Sequence, residues 1–201
     1  QASIYLSRAN WEKACTSYEK ALAFMPDDPL VQELLGVSLL FCGKEKTKGR
    51  KLLEKAARKP SEDAVSPDML ASDILAGNVD IESVKPYFMH VDETRKSIEQ
   101  KKEALLLSLK KYPKFRAALF QLAVLSLQLH QPKEAVAFLE QLHALDSDDI
   151  SCEFYLAALY HERYNEPKAI EHFAFAEKIA KKQGYYPKQL SEMKVLLSCS
   201  N

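Results

Sequence analysis

Glycine is scarce, five in 201 residues. Leu, Ala, Lys and Glu abound instead, and because these side chains lose little rotamer freedom in a helix, the balance favours helix over strand. Long apolar runs are missing: none approaches the roughly 20 residues that span a bilayer, and the N-terminus lacks the basic and apolar regions of a signal peptide. A soluble chain without a transmembrane segment is expected. Net charge is absent as well, 28 Lys and Arg standing against 28 Asp and Glu. No overall electrostatic funnel draws in nucleic acid or an anionic membrane, so nucleic acid is not an expected partner. The four cysteines, Cys15, Cys42, Cys152 and Cys199, form no C-x-x-C pair and have no histidine at zinc-finger spacing. They read as free thiols, with Cys42 and Cys152 packed on apolar helical stretches, and a reducing, cytoplasmic compartment fits them.

Chemistry is equally sparse. There is no phosphate loop, G-x-S-x-G elbow, H-E-x-x-H or paired dinucleotide glycines. The five histidines, His90, His130, His143, His161 and His172, are dispersed. His161 and Glu162 are the best acid–base candidates, yet adjacent helical residues do not face each other and no nucleophile accompanies them. The expectation is a protein that is not an enzyme and has no metal or cofactor.

What is there is a repeat. Leu122, Ala123, Ala135, Leu139 and Leu142 are matched 34 positions later by Leu156, Ala157, Ala169, Phe173 and Ala176. That period is the length of a helical hairpin, which cannot bury its apolar face alone, so stacked copies share one core and expose an extended concave surface. With 47% hydrophobic and 28% charged residues, the chain has the material for such a core. Earlier units show the same features: Tyr5, Ala14, Tyr18, Ala21 and Leu22 run to Pro26, and Leu35, Gly36, Leu39, Gly49, Leu53 and Ala56 run to Pro60. Gly36 and Gly49 would let two helices approach closely, with Gly43 in the turn between them, where a positive φ costs glycine nothing. From Phe115 the pattern gives helices near 115–129, 133–145, 150–163 and 167–181, and an extra one over 187–197 carrying Leu190, Met193, Val195, Leu196 and Leu197 to cover the last repeat.

Residues 61–114 are irregular. A short helix is expected from a Ser66 cap with Pro67 and Asp68 in its first turn, ended by Gly77 and Asn78, and a longer one near 93–111. That leaves 77–92 as an insertion, and Val84, Tyr87, Phe88 and Met89 make it too apolar for an idle loop. Charge is also segregated. Residues 44–59 hold eight Lys or Arg against Glu45 and Glu54, while 61–93 hold eight acids against Lys85. The plain reading is solvated surface. The sharper one makes Lys44, Lys46, Lys48, Arg50 and Lys51 a docking patch for an acidic partner.

These residues resemble the tetratricopeptide repeat, or TPR. Leu35-Gly36, Tyr160, Ala14, Ala169, Tyr18, Phe173 and the closing prolines Pro26, Pro60 and Pro113 stand where that family has its Leu-Gly, Tyr, Ala, aromatic and Pro. The opening Trp of the family pattern is missing, Leu119 standing in its place in one repeat, and Ser147 replaces a closing Pro. The resemblance implies an all-α, right-handed superhelix of TPR-like hairpins with a C-terminal capping helix. Its repeats would lie at about 1–28, 29–60, 61–114, 115–148 and 149–183, with the cap at 186–199, in a single domain. Gln1 falls partway into a repeat, so a longer parent chain is expected.

In that family the first helix of each pair lines the concave groove. Carried over, this gives Leu30, Glu33, Val37, Leu40 and Phe41, then Ala117, Phe120, Gln121, Val124, Leu127 and Gln128, then Ser151, Phe154, Ala158, His161, Glu162 and Asn165. Glu33, Val37, Ala117 and Gln121 replace the basic and Asn residues of the family's carboxylate clamp, which argues against an acidic C-terminus as ligand. An apolar lining with Phe41, Phe120 and Phe154 suits a peptide or an amphipathic helix. The alternatives are packing between repeats and a groove filled by the chain's own insertion. The implied role is an interaction scaffold, adaptor or chaperone with a protein or peptide partner. A structural subunit of a larger complex and the regulatory region of an enzyme remain as alternatives, and assembly of like chains stays open.

Overall fold

The computed structural model describes residues 2–57, 69–91, 94–163, 165–184 and 188–199. Pro60, the cap expected at Ser66 to Asp68, the acids Glu62, Asp63, Asp92 and Glu93, the turn residue Tyr164 and Pro187 lie outside them. Among the described residues there are helices and turns but no strand, so the protein is all-α. Two compact units, 1–121 and 122–201, make up the chain.

The first unit opens with α1 (Ala2–Ser7), α2 (Trp11–Phe24), α3 (Pro29–Cys42) and α4 (Lys46–Ala56). Each start has a local cause. Asn10 accepts a bond from the Lys13 N–H at 3.3 Å, and Asp28 accepts one from Val31 at 2.9 Å, with Pro29 in the first turn where its missing N–H costs nothing. Gly43 ends α3 at φ 66°. Helices α3 and α4 touch through backbone: a Cβ on Gly36 would lie 2.9 Å from the Gly49 carbonyl oxygen, and one on Gly49 would lie 3.0 Å from that of Gly36. Leu6, Ala14, Tyr18, Leu35, Leu39 and Leu52 form the core that α1 to α4 share. The Cys15 and Cys42 sulfurs meet at 3.4 Å as free thiols, and burial, reinforced by Cys42, pushes the Cys15 thiol up to about 12.

After α5 (Met69–Ala76) comes the expected insertion, which is not a loop but a 3-10 helix over Glu82–Phe88 with Val84 fully buried. It packs on α6 (Arg95–Lys111), capped by Thr94. Asp80 ties the two together by accepting from the Ser83 N–H at 2.7 Å, the Tyr112 hydroxyl at 2.6 Å and Lys111 at 2.9 Å. The Tyr112 bond is the main reason the Asp80 carboxyl sits well below its ordinary value. Asp73 departs from the solvated-surface reading of the acidic stretch. It is wholly buried and accepts from Arg116 Nε at 2.8 Å, from the Ala117 N–H at 3.0 Å and from Asn78 at 3.1 Å. A buried acid of α5 thus caps α7 (Arg116–Gln128) from another helix.

The second unit holds the remainder of α7, then α8 (Pro132–Leu145), α9 (Ile150–Glu162), α10 (Glu166–Gln183) and α11 (Lys188–Cys199). Pro132 and Pro167 stand in the first turns of α8 and α10. Asp149 caps α9 at 2.7 Å and Asn165 caps α10 at 3.4 Å. The repeated positions Ala135, Leu139, Leu142, Leu156, Ala157, Ala169, Phe173 and Ala176 are all buried. Cys152 is buried with its thiol donating to the Leu139 carbonyl at 3.2 Å. Helix α11 lies on α9 and α10 and buries Leu190, Met193 and Leu197, spaced along one face, whereas Val195 and Leu196 point outward at 61% and 54% exposure. Of the five apolar residues only three turn inward, because at 3.6 residues per turn Val195 falls opposite the buried face and Leu196 on its flank.

Candidate functional site

On α3 only Leu30 is open, at 60% exposure; Leu40 and Phe41 are half-buried, and Glu33 and Val37 are buried. The chain's own side chains account for this. Phe41 stacks on Trp11 of α2, ring centres 3.9 Å apart and planes 15° from parallel. Lys85 of the 3-10 segment sits 5.8 Å over the Phe41 ring. Phe88, at the end of that segment, packs on the α1–α4 core beside Leu34. Leu6, Tyr18, Leu34, Phe88 and Val91 line the hollow that remains. Burial, with Glu33 adding to it, pushes the Tyr18 hydroxyl up to about 12, so it stays neutral across physiological pH.

On α7, Ala117 is buried, Phe120, Gln121, Val124 and Leu127 are half-buried, and Gln128 is exposed. On α9, Ser151 is buried while Phe154, Ala158 and His161 are half-buried and Glu162 is exposed. The last four follow at helical spacing, so they share one face. Sequence adjacency does keep His161 and Glu162 apart; His161 instead bonds Glu166 at 2.8 Å, and Asn165 is engaged as the α10 cap.

The basic stretch is partly balanced within its own unit. Lys44 pairs with Glu12 at 2.9 Å, and Lys48 with Glu19 at 3.0 Å and Glu45 at 2.9 Å. Lys46, Arg50 and Lys51 are exposed on α4. Exposed pairs of this kind add little to stability and chiefly cancel field.

Dispersed histidines converge in the second unit. Glu153 of α9, wholly buried, is bonded through one carboxylate oxygen to His143 of α8 and through the other to His172 of α10 at 2.8 Å. The His172 ring stacks on Tyr160, centres 5.5 Å apart and planes 7° from parallel. The Tyr160 hydroxyl donates to Glu140 at 2.5 Å and accepts from Lys168 at 3.0 Å, and burial raises its pKa above the ordinary value. Sequence reasoning missed this cluster although a signal existed: Glu153 lies 34 residues after Leu119, an acid at a position the preceding repeat buries as leucine.

No family model matches the chain, and no curated protein matches it. Solved structures do. MamA aligns at 15% identity and a TM-score of 0.47, over 92% of this chain and 97% of that one. A thermophilic TPR protein from Thermus thermophilus aligns at 20% identity and 0.47, over 98% and 94%. A MamA structure from Desulfovibrio magneticus RS-1 gives 14% and 0.47, over 90% and 92%. The chain is thus similar to solved helical-repeat structures, a TPR protein among them. The features that bear on a site are the chain's own. They are the half-exposed first-helix face of α9 and the part-filled first-helix face of α3.

Proposed function

We propose that this TPR-like chain is a protein-interaction scaffold that takes a short peptide or an amphipathic helix on the first-helix face of α9. The observation that carries it is the row Phe154, Ala158, His161 and Glu162, apolar at one end and polar at the other, with the opposite side of the same helix buried in the second unit. Phe154 supplies an anchor. His161, oriented by Glu166, and exposed Glu162 supply polar selection. Val124, Leu127 and Gln128 of α7 are further candidates for that lining. On α3 Phe41 is already engaged by Trp11 and by Lys85 of the chain's own 3-10 segment, so capture is assigned to α9. The adaptor or chaperone role, with a protein partner inside a reducing compartment and no part in catalysis, belongs to the same reading.

A second reading, a structural subunit held by permanent contacts, is favoured by outward Val195 and Leu196 on α11. A photo-crosslinking residue placed at Ala158, at Leu196 and at exposed Lys178 separates the two in the native cell. Crosslinks to a protein at 158, with 178 silent, support capture on α9. Crosslinks at 196 alone support the subunit, and equal yields everywhere refute both. For a partner so identified, Phe154→Ala weakens binding by about 1.5–3 kcal/mol, ten-fold or more in Kd, by isothermal titration.

A further inference from the structure

We propose that His143, His172 and Glu153 form a metal site in the second unit, one that takes a divalent cation of zinc type. Three helices contribute one ligand each, and the three donor atoms lie within 4.8 Å of one another. Zn2+ holds nitrogen and oxygen ligands at about 2.0–2.2 Å, which sets tetrahedral neighbours about 3.4 Å apart. The donors already stand nearly that close, His172 Nδ1 being 2.8 Å from its Glu153 oxygen. An ion entering between them needs small ring and carboxylate adjustments rather than movement of a helix.

The donor set selects the metal. Two imidazoles and a carboxylate are the ligands of three-residue zinc sites that leave a fourth position open, whereas Mg2+ and Ca2+ prefer oxygen alone. Charge supplies the drive. A carboxylate with no exposed surface requires a positive partner, and among the described residues the groups on Glu153 are the two imidazoles. A divalent cation meets that need while replacing both Nδ1 protons. A neutral ring presents Nδ1 by carrying its single proton on Nε2, and a charged ring releases one proton to solvent.

The surroundings fit a held ion. Stacking on Tyr160 fixes the His172 plane, and Tyr160 is itself held by Glu140 and Lys168. Phe175 lies 6.1 Å from the His143 ring and 6.5 Å from that of His172 and adds an apolar wall. The His143 side chain is 34% exposed against 12% for His172, so the open side of the site faces solvent past His143.

The full chain, stripped with a chelator, is titrated with Zn2+ by calorimetry and with Co2+ by absorption. Expected are one equivalent of tight binding, visible Co2+ bands without thiolate charge transfer, and a Zn2+-dependent rise in Tm. His172→Ala and His143→Ala should each lose ten-fold or more in affinity, whereas Cys15→Ser, which alters the Cys15–Cys42 thiol pair, should not. Absence of a saturable equivalent in the parent chain overturns the site, as does a thiolate band or an affinity that follows Cys15 instead of the histidines. Should a histidine variant fail to fold, the parent's Co2+ spectrum and its Tm response decide the matter.

Discussion

Lys101 shows what a single side chain can cost. It lies on α6 with 8% exposure, its ammonium 6.0 Å above the Tyr87 ring, and burial depresses its pKa to about 8 from 10.5. Between pH 8 and 10.5 the unfolded chain therefore holds a proton that the folded chain has released, and stability contributed by this group rises with pH over that window. Below pH 8 both states are charged and the desolvation cost is present in full. Lys101→Met keeps the volume and removes the charge, so it should stabilise the protein by about 1–3 kcal/mol at pH 7. That gain should shrink as pH approaches 10.5. Urea unfolding at pH 7 and pH 10 checks both the sign and the convergence.

At the scale of elements, the α3–α4 hairpin depends on two missing side chains. With each glycine's Cβ position about 3 Å from the other's carbonyl oxygen, there is no flexible atom to yield. Gly49→Ala should therefore cost about 1–3 kcal/mol despite alanine's better helix propensity. Thermal unfolding gives the loss, and an exposed glycine-to-alanine change of the kind that stabilises helices would have the opposite sign. This hairpin was legible in the sequence because turn, period and small residues all pointed one way. The insertion was legible as apolar but not as a 3-10 helix, since Pro86 and a short length gave no 3.6-residue period to read. Asp73 was illegible as a buried acid, because its partner Arg116 comes from another helix at a separation that no local pattern records; for Glu153 the repeat offset from Leu119 signalled burial, but nothing local named His143 and His172 as its partners. Groove residues carried over by family position arrived without the information that Trp11 and Lys85 would engage Phe41.

For the molecule as a whole, zero net charge turns from an absence into a property. In the first unit Lys44 and Lys48 spend their charge on Glu12, Glu19 and Glu45, so a field strong enough to steer a distant anion does not build up around them. The proposed capture face on α9 draws instead on apolar area, which salt does not screen. Two scaffolds of the same fold would differ sharply here. One that recruits through the basic stretch of α4 loses affinity steeply with added salt, whereas one that recruits through Phe154 keeps it. The expected result is a partner Kd that changes less than about three-fold between 50 and 500 mM NaCl, alongside no measurable binding of a labelled DNA duplex at physiological salt. Titrating both ligands by fluorescence anisotropy across that range tests the point. A steep salt slope abolished by Lys46→Glu and Lys51→Glu would move the working surface from α9 to the exposed cations of α4.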